Sequence, residues 1–231
     1  MTIKLSTLII RPVGWFWLLL VLLLAGLLAL GGSPSVSYAA KTVDIGEAHA
    51  LPLDSTVTVK GTVTVPTGIF FSGTFDQGFA IQDESGGIYV SVQPGLGLQL
   101  RDQVEVTGQL VDSFGVLTLV PDSVGNVKLK DHGQPIEPEA VATGDISEAT
   151  EGRLVKVEGV ITQSVIDDLP YGYRFSVDDG SGAVQVFIYA STGIDVSRFQ
   201  PGQTVTMTAF SAQFEDHYEI NPRSASDIQV H

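Results

Sequence analysis

Two acidic, glycine-rich turns hold dense clusters of oxygen donors, "DESGG" at 83–87 and "DDGSG" at 178–182. Carboxylates on pliable backbone are what a calcium loop uses. Calcium takes roughly 6 to 8 oxygens, and neither turn has the EF-hand pattern with its closing glutamate. A simpler chemistry suits them: the aspartates accept backbone N–H groups across a tight turn while glycine supplies positive φ. Catalytic candidates are sparser. His49, His132, His217 and His231 show no metal-ligand spacing, and the chain lacks HExxH, a GxSxG elbow, a phosphate-cradling GKS/T run and any cysteine. Asp167 and Asp168 are adjacent, but adjacency does not give the opposed carboxylates of glycoside chemistry. The expectation is a protein that binds rather than catalyses, with no cofactor and no metal ligands.

Both turns join short β-like runs, and the runs repeat. The first series is "STVTVKGTVTV" (55–65), "GFAIQD" (78–83), "GIYVSV" (87–92), "DQVEVTGQLV" (102–111), "GVLTLV" (115–120) and "NVKLK" (126–130). The second is "GRLVKVEGVIT" (152–162), "YRFSVDD" (173–179), "AVQVFIY" (183–189), "GQTVTMTAFSA" (202–212), "HYEI" (217–220) and "DIQV" (227–230). Gly61 answers Gly159, Asp83 answers Asp179, Gly86 answers Gly182, Gln103 answers Gln203 and Pro121 answers Pro222, at offsets of 96 to 101 residues. Two tandem copies of one unit follow, each of about five strands with a glycine in its long first strand where sharp coiling is eased. The linker at 131–152, with Pro135 and Pro138, marks the boundary. Its "TGDISEATEG" portion predicts a helical turn containing Glu148 and capped by Thr143 or Asp145. Expected domains are 1–40 as a leader, 41–131 as the first unit and 132–231 as the second.

The runs "VKGTVTV…GFAIQDESGGIYVSV…RDQVEVTGQL…LTLV" and "GRLVKVEGVIT…YRFSVDDGSGAVQVFIY…PGQTVTMTAF" resemble tandem OB-fold domains, especially exported bacterial ones found beside extracellular nucleases. The resemblance covers nearly all of residues 43–230. It implies an all-β protein of two five-stranded barrels, whose second and third strands with their neighbouring loops form the usual ligand face. It implies no nuclease activity, which in such proteins resides in a separate domain. A carbohydrate-binding β-sandwich is the alternative that strand counting leaves open.

Strand alternation assigns the faces. Phe79, Ile81, Ile88, Val90 and Val92 are placed inward in the first unit, and Ala80, Gln82, Tyr89 and Ser91 outward. Tyr173, Phe175, Val177, Val184, Val186 and Ile188 are inward in the second, and Arg174, Ser176, Gln185, Phe187 and Tyr189 outward. The second outward face is the richer one: aromatic platforms for a base or sugar, an arginine for phosphate or carboxylate, and an amide for hydrogen bonding. Packing against the other barrel or a partner competes with ligand contact for Phe187 and Tyr189. The loops before the second strands add Phe70, Phe71 and Tyr171. Candidate ligand residues are therefore Gln82, Tyr89, Ser91, Phe70, Phe71, Arg174, Gln185, Phe187, Tyr189 and Tyr171, with Phe114, Phe214 and His217 secondary.

Charge and the leader limit the partners. The chain carries 12 basic and 26 acidic residues, a formal charge of −14; Lys4 and Arg11 are its only charges before Lys41. Such a surface repels nucleic acid and anionic lipid at long range and lacks the basic stripe of a general DNA binder. The leading expectation is a binding module for single-stranded nucleic acid or short oligonucleotides; the alternatives are a structural or protein-interaction module of the cell envelope, with an envelope protein as partner, and a carbohydrate-binding module that takes a glycan. Lys4 and Arg11 precede an uncharged run from Val13 to Gly32, 20 residues, with Ser37 and Ala39 placed for cleavage. A cleaved signal peptide and a retained membrane anchor both fit. Either places the remainder outside the cytoplasmic membrane, and the absence of cysteine leaves its cores to carry stability without disulfides.

Overall fold

The computed structural model describes residues 40–71 and 76–231. The expected leader lies outside the described residues except for Ala40, and no helix among the described residues is long and apolar enough to cross a membrane. In the first repeat the chain runs β1 (Lys41–Thr42), α1 (Ile45–His49), β2 (Thr56–Val65), β3 (Phe79–Gln82), β4 (Gly87–Val90), β5 (Asp102–Ser113), β6 (Val116–Val120) and β7 (Val127–His132). In the second it runs β8 (Glu139–Ala140), β9 (Leu154–Ile161), β10 (Ile166–Asp168), β11 (Gly172–Asp178), β12 (Val184–Tyr189), β13 (Thr204–Phe214), β14 (His217–Asn221) and β15 (Ile228–Val230). Hydrogen bonding closes β2–β3–β4–β6–β5 back onto β2, and β9–β11–β12–β14–β13 back onto β9. Every contact in these rings is antiparallel except β4–β6 and β12–β14, which are parallel. This order is the five-stranded OB barrel, twice; the sandwich alternative is excluded by closure.

Closure depends on one long strand serving two sides. β2 pairs with β5 from Thr56 to Thr62 and with β3 from Thr62 to Val65, so the change of partner comes directly after Gly61. β9 pairs with β13 from Leu154 to Val160 and with β11 at Val160 and Ile161, directly after Gly159. The strands run through these glycines unbroken. A Cβ at Gly61 would lie 3.0 Å from the Ile81 Cβ, so the missing side chain lets the curled strand approach its neighbour.

The inward residues pack as alternation requires. Val57, Val59, Phe79, Ile81, Ile88, Val90, Val106, Leu110 and Leu119 are buried in the first core; Val155, Phe175, Val177, Val186, Ile188, Met207 and Ile220 in the second. Tyr173, also expected inward, is only partly buried near the start of β11. The linker forms two 3-10 turns, 143–145 and 148–150. The second is capped by a Ser147–Thr150 box rather than by Thr143 or Asp145. Thr143 instead gives its N–H and hydroxyl to Asp179, which also accepts the Ser181 N–H. Asp83 does the same in the first repeat, accepting from Ser85 N, Gly86 N and Ile45 N. Both acidic turns thus tie their hairpin to the segment before the barrel.

A third apolar cluster lies between the barrels: Val65, Phe70, Ala80, Phe210 and Ala212, with Tyr89, Val116 and Tyr189 packed against it. Phe70, 4% exposed, stacks on Tyr189 at a centroid distance of 4.9 Å. Leu154 N–H donates to Gln82 Oε1 at 2.8 Å, Leu117 N–H to Glu151 Oε1 at 2.9 Å, and Arg223 Nη1 to the Thr64 carbonyl at 2.7 Å. Buried apolar contact and desolvated hydrogen bonds together fix the two barrels against each other. Phe70→Ala is expected to cost roughly 3 to 5 kcal/mol, the usual range for a buried phenylalanine. Chemical denaturation of the purified chain measures it.

Candidate functional site

The outer face of the second barrel opens into a cleft of about 580 Å³ whose other wall is the first barrel. Strand register builds the second-barrel wall. Arg174 sits opposite Phe187, Gln185 opposite Glu219, and Ala212 opposite Glu219 on the far side, so β11, β12, β14 and β13 present one continuous outward row. The hairpin β10–β11, which the sequence patterning does not show, adds Asp168 and Tyr171 at the rim. The first barrel contributes Phe70, Asp76, Tyr89, Thr118 and Phe114.

Aromatic rings dominate the lining. Tyr189 lies between Phe70, stacked on it, and Phe187, edge-on at 4.9 Å. Tyr89 and Phe210 meet at 6.2 Å across the interface. At the far end the equivalent hairpin tips touch: Phe114 and Phe214 stack at 5.9 Å, and Glu215 N–H donates to the Phe114 carbonyl at 2.6 Å. Phe114 and Glu215 both hold positive φ, 55° and 54°, as the first residue of a two-residue hairpin loop requires. Tyr171, Phe114 and Phe214 remain about half exposed, so their faces are available to a ligand.

A polar row runs along the floor. The Gln185 amide Nε2 donates to Glu219 Oε2 and to His217 Nε2, each at 2.9 Å, and Asn221 Nδ2 donates to Glu219 Oε1 at 2.9 Å. Burial pushes the Glu219 carboxyl up despite those bonds. Asp76 is also raised by burial, against hydrogen bonds from Val92 N–H, Ser91 and Tyr89. Burial and the neighbouring Asp76 charge raise the Tyr89 phenol; burial and Glu219 raise that of Tyr189. Among the described residues the lining holds three carboxylates, Asp76, Asp168 and Glu219, against one guanidinium, Arg174.

Because the folded Glu219 carboxyl holds its proton more tightly than the ordinary value of 4.5, the stability it contributes is complete at low pH. That contribution drains as pH rises from 4.5 through the raised value. Glu219→Gln should flatten that decline, which thermal melts across mildly acidic to mildly alkaline buffers will show.

Of the ten residues expected from sequence, Tyr89, Phe70, Arg174, Gln185, Phe187, Tyr189 and Tyr171 line this cleft, as do Phe114, Phe214 and His217. Three stand elsewhere. Gln82 points outward from its barrel as expected but is buried under the second, where its amide oxygen caps the start of β9. Ser91 is not among the lining residues but hydrogen-bonds Asp76, which is. Phe71, 39% exposed, is not among the lining residues, and its backbone N–H donates to Ser191 Oγ at 3.1 Å. Asp76, Glu219, Asn221 and Phe210 were not expected. Phe210 carries a readable signal: the outward positions of β13 run Thr204, Thr206, Thr208 and then Phe210, Ala212, Phe214, so that face turns apolar halfway along.

No family model matches the chain, and no curated protein matches it. Among solved structures it is similar to an OB domain from Methanosarcina mazei, at 14% identity and TM-score 0.35 over 42% of this chain and 86% of that one. It is similar also to a HINb domain, at 14% and 0.36 over 74% and 95%. A third is a murine DNA-binding protein bound with double-stranded DNA, at 10% and 0.41 over 71% and 90%. At these scores the fold assignment rests on the strand order and closure described above.

Proposed function

We propose that this protein is a non-catalytic, extracytoplasmic binding module that takes a short oligosaccharide in the cleft between its barrels. The observation that carries the reading is the lining itself: partly exposed aromatic faces flank an amide–carboxylate–imidazole row, Gln185, Glu219, Asn221 and His217. Sugar rings stack their C–H faces on aromatics while their hydroxyls both donate to carboxylates and accept from amides. A polyanion has less to gain here, since three carboxylates face one arginine and the chain is strongly acidic. The leader with Lys4 and Arg11 supports export.

A second reading, a short single-stranded oligonucleotide, is favoured by Arg174 directly across from Phe187, a cation beside a stacking platform on the fold's usual ligand face. Parallel titrations with neutral hexasaccharides and with a short oligothymidylate, at low and physiological salt, separate them. Salt-independent sugar binding is the expected result. Oligothymidylate binding that weakens steeply with salt would replace the first reading by the second. Export is checked separately, by protease accessibility in intact cells.

A further inference from the structure

On the other side of the hairpin tips a second cleft lies at the junction of the barrels, lined by His49, Asp112, Leu117, Glu148, Glu151 and Glu215 among others. Among the described residues, His49, Glu148 and Glu151 bring one ligand atom each to within 4.8 Å of one another. His49 is at the end of α1 in the first barrel; Glu148 and Glu151 belong to the 3-10 turn that leads into the second. An independent observation marks the spot. Glu151 is 3% exposed, and while its Oε1 accepts from Leu117 N–H, its Oε2 is buried with no hydrogen-bond partner. An orphaned carboxylate oxygen at that depth is costly unless something positive meets it.

We propose that His49, Glu148 and Glu151 form a zinc site that clamps the two barrels together. The donor set decides the metal: one imidazole and two carboxylates, leaving a position for water, suit zinc, whereas calcium prefers an all-oxygen shell of higher coordination. Each ligand already has an outer partner of the kind that orients metal ligands. His49 Nε2 is 2.8 Å from the Gly87 carbonyl; donation there leaves the lone pair on Nδ1. Tyr218 OH donates to Glu148 Oε2 at 3.2 Å, and Leu117 N–H holds Glu151. Burial raises the Glu151 carboxyl to about 7, and the neighbouring Glu148 and Asp112 push it the same way, a cluster of like charge that a dication relieves. The sequence hides the site because His49 and Glu148 are far apart in the chain and belong to different repeats.

The test uses the full chain stripped with chelator, titrated calorimetrically with Zn²⁺ and spectroscopically with Co²⁺ as a visible surrogate. The expected result is one Zn²⁺ per chain, a raised melting temperature, and at least tenfold weaker binding in both His49→Gln and Glu151→Gln. Glu148→Gln, at an exposed position, gives a third variant should either of the others fold poorly. Absence of one-to-one binding, or an affinity unchanged in the folded variants, would overturn the proposal.

Discussion

Gly152→Ala is expected to destabilise the protein by about 2 to 6 kcal/mol, the sum of backbone strain and a steric clash. Gly152 holds φ +78°, and a Cβ there would lie 2.1 Å from the Gly87 carbonyl oxygen; a Cβ at Gly87 would lie 1.9 Å from that of Gly152. The two barrels therefore touch backbone to backbone at a glycine pair, one at the start of β4 and one just before β9. Two companion variants separate the contributions. Gly202→Ala, at φ +88° with nothing within 4 Å of the added Cβ, carries the strain alone. Gly87→Ala forces the barrels apart without requiring positive φ. Chemical denaturation should rank Gly152→Ala as the most damaging of the three, and equal losses for Gly152→Ala and Gly202→Ala would show that the close approach has little weight.

The second large effect is on binding. Phe187→Ala and Tyr171→Ala should each weaken ligand affinity, and by about 1 to 3 kcal/mol where the stacked group is a nucleobase. Phe187 stands mid-wall beside Arg174, and Tyr171 at the rim is 52% exposed, so neither truncation opens a barrel core. Phe71→Ala should leave affinity unchanged, since Phe71 lies outside the cleft although its neighbour Phe70 is within it. Arg174→Gln discriminates the ligand: little change with a neutral sugar, but a lost salt dependence with an oligonucleotide.

Much of this architecture was legible in the sequence, for a physical reason. Alternation with period two is a direct consequence of the pleat, so Phe79, Ile81, Ile88 and Val90 declare the core face without reference to anything distant. The repeat of "DESGG" in "DDGSG" fixed the hairpins, and Gly61 and Gly159 marked where the long strands change partner. What alternation cannot show is what covers an outward face. Gln82 was outward and polar, yet it is buried because the second barrel packs over β3, and Leu154 N–H occupies its amide oxygen. Tyr189 carries the same lesson: an outward ring that becomes half interface, half cleft wall. Glu219 and Asn221 were missed because their role comes from lying beside Gln185 on a parallel strand, a neighbour set by barrel closure. His49, Glu148 and Glu151 come together only once both barrels are docked.

Whether the inter-barrel cleft is the ligand site is decided by backbone and side-chain amide NMR of the full chain during titration with neutral hexasaccharides. Saturable shifts are expected at Tyr171, Arg174, Gln185 and Phe187 of the second barrel together with Tyr89 and Thr118 of the first, residues that line this cleft and not the one beyond the hairpin tips. Saturable shifts confined to surfaces away from these residues, or no shifts with either the sugars or oligothymidylate, would contradict it.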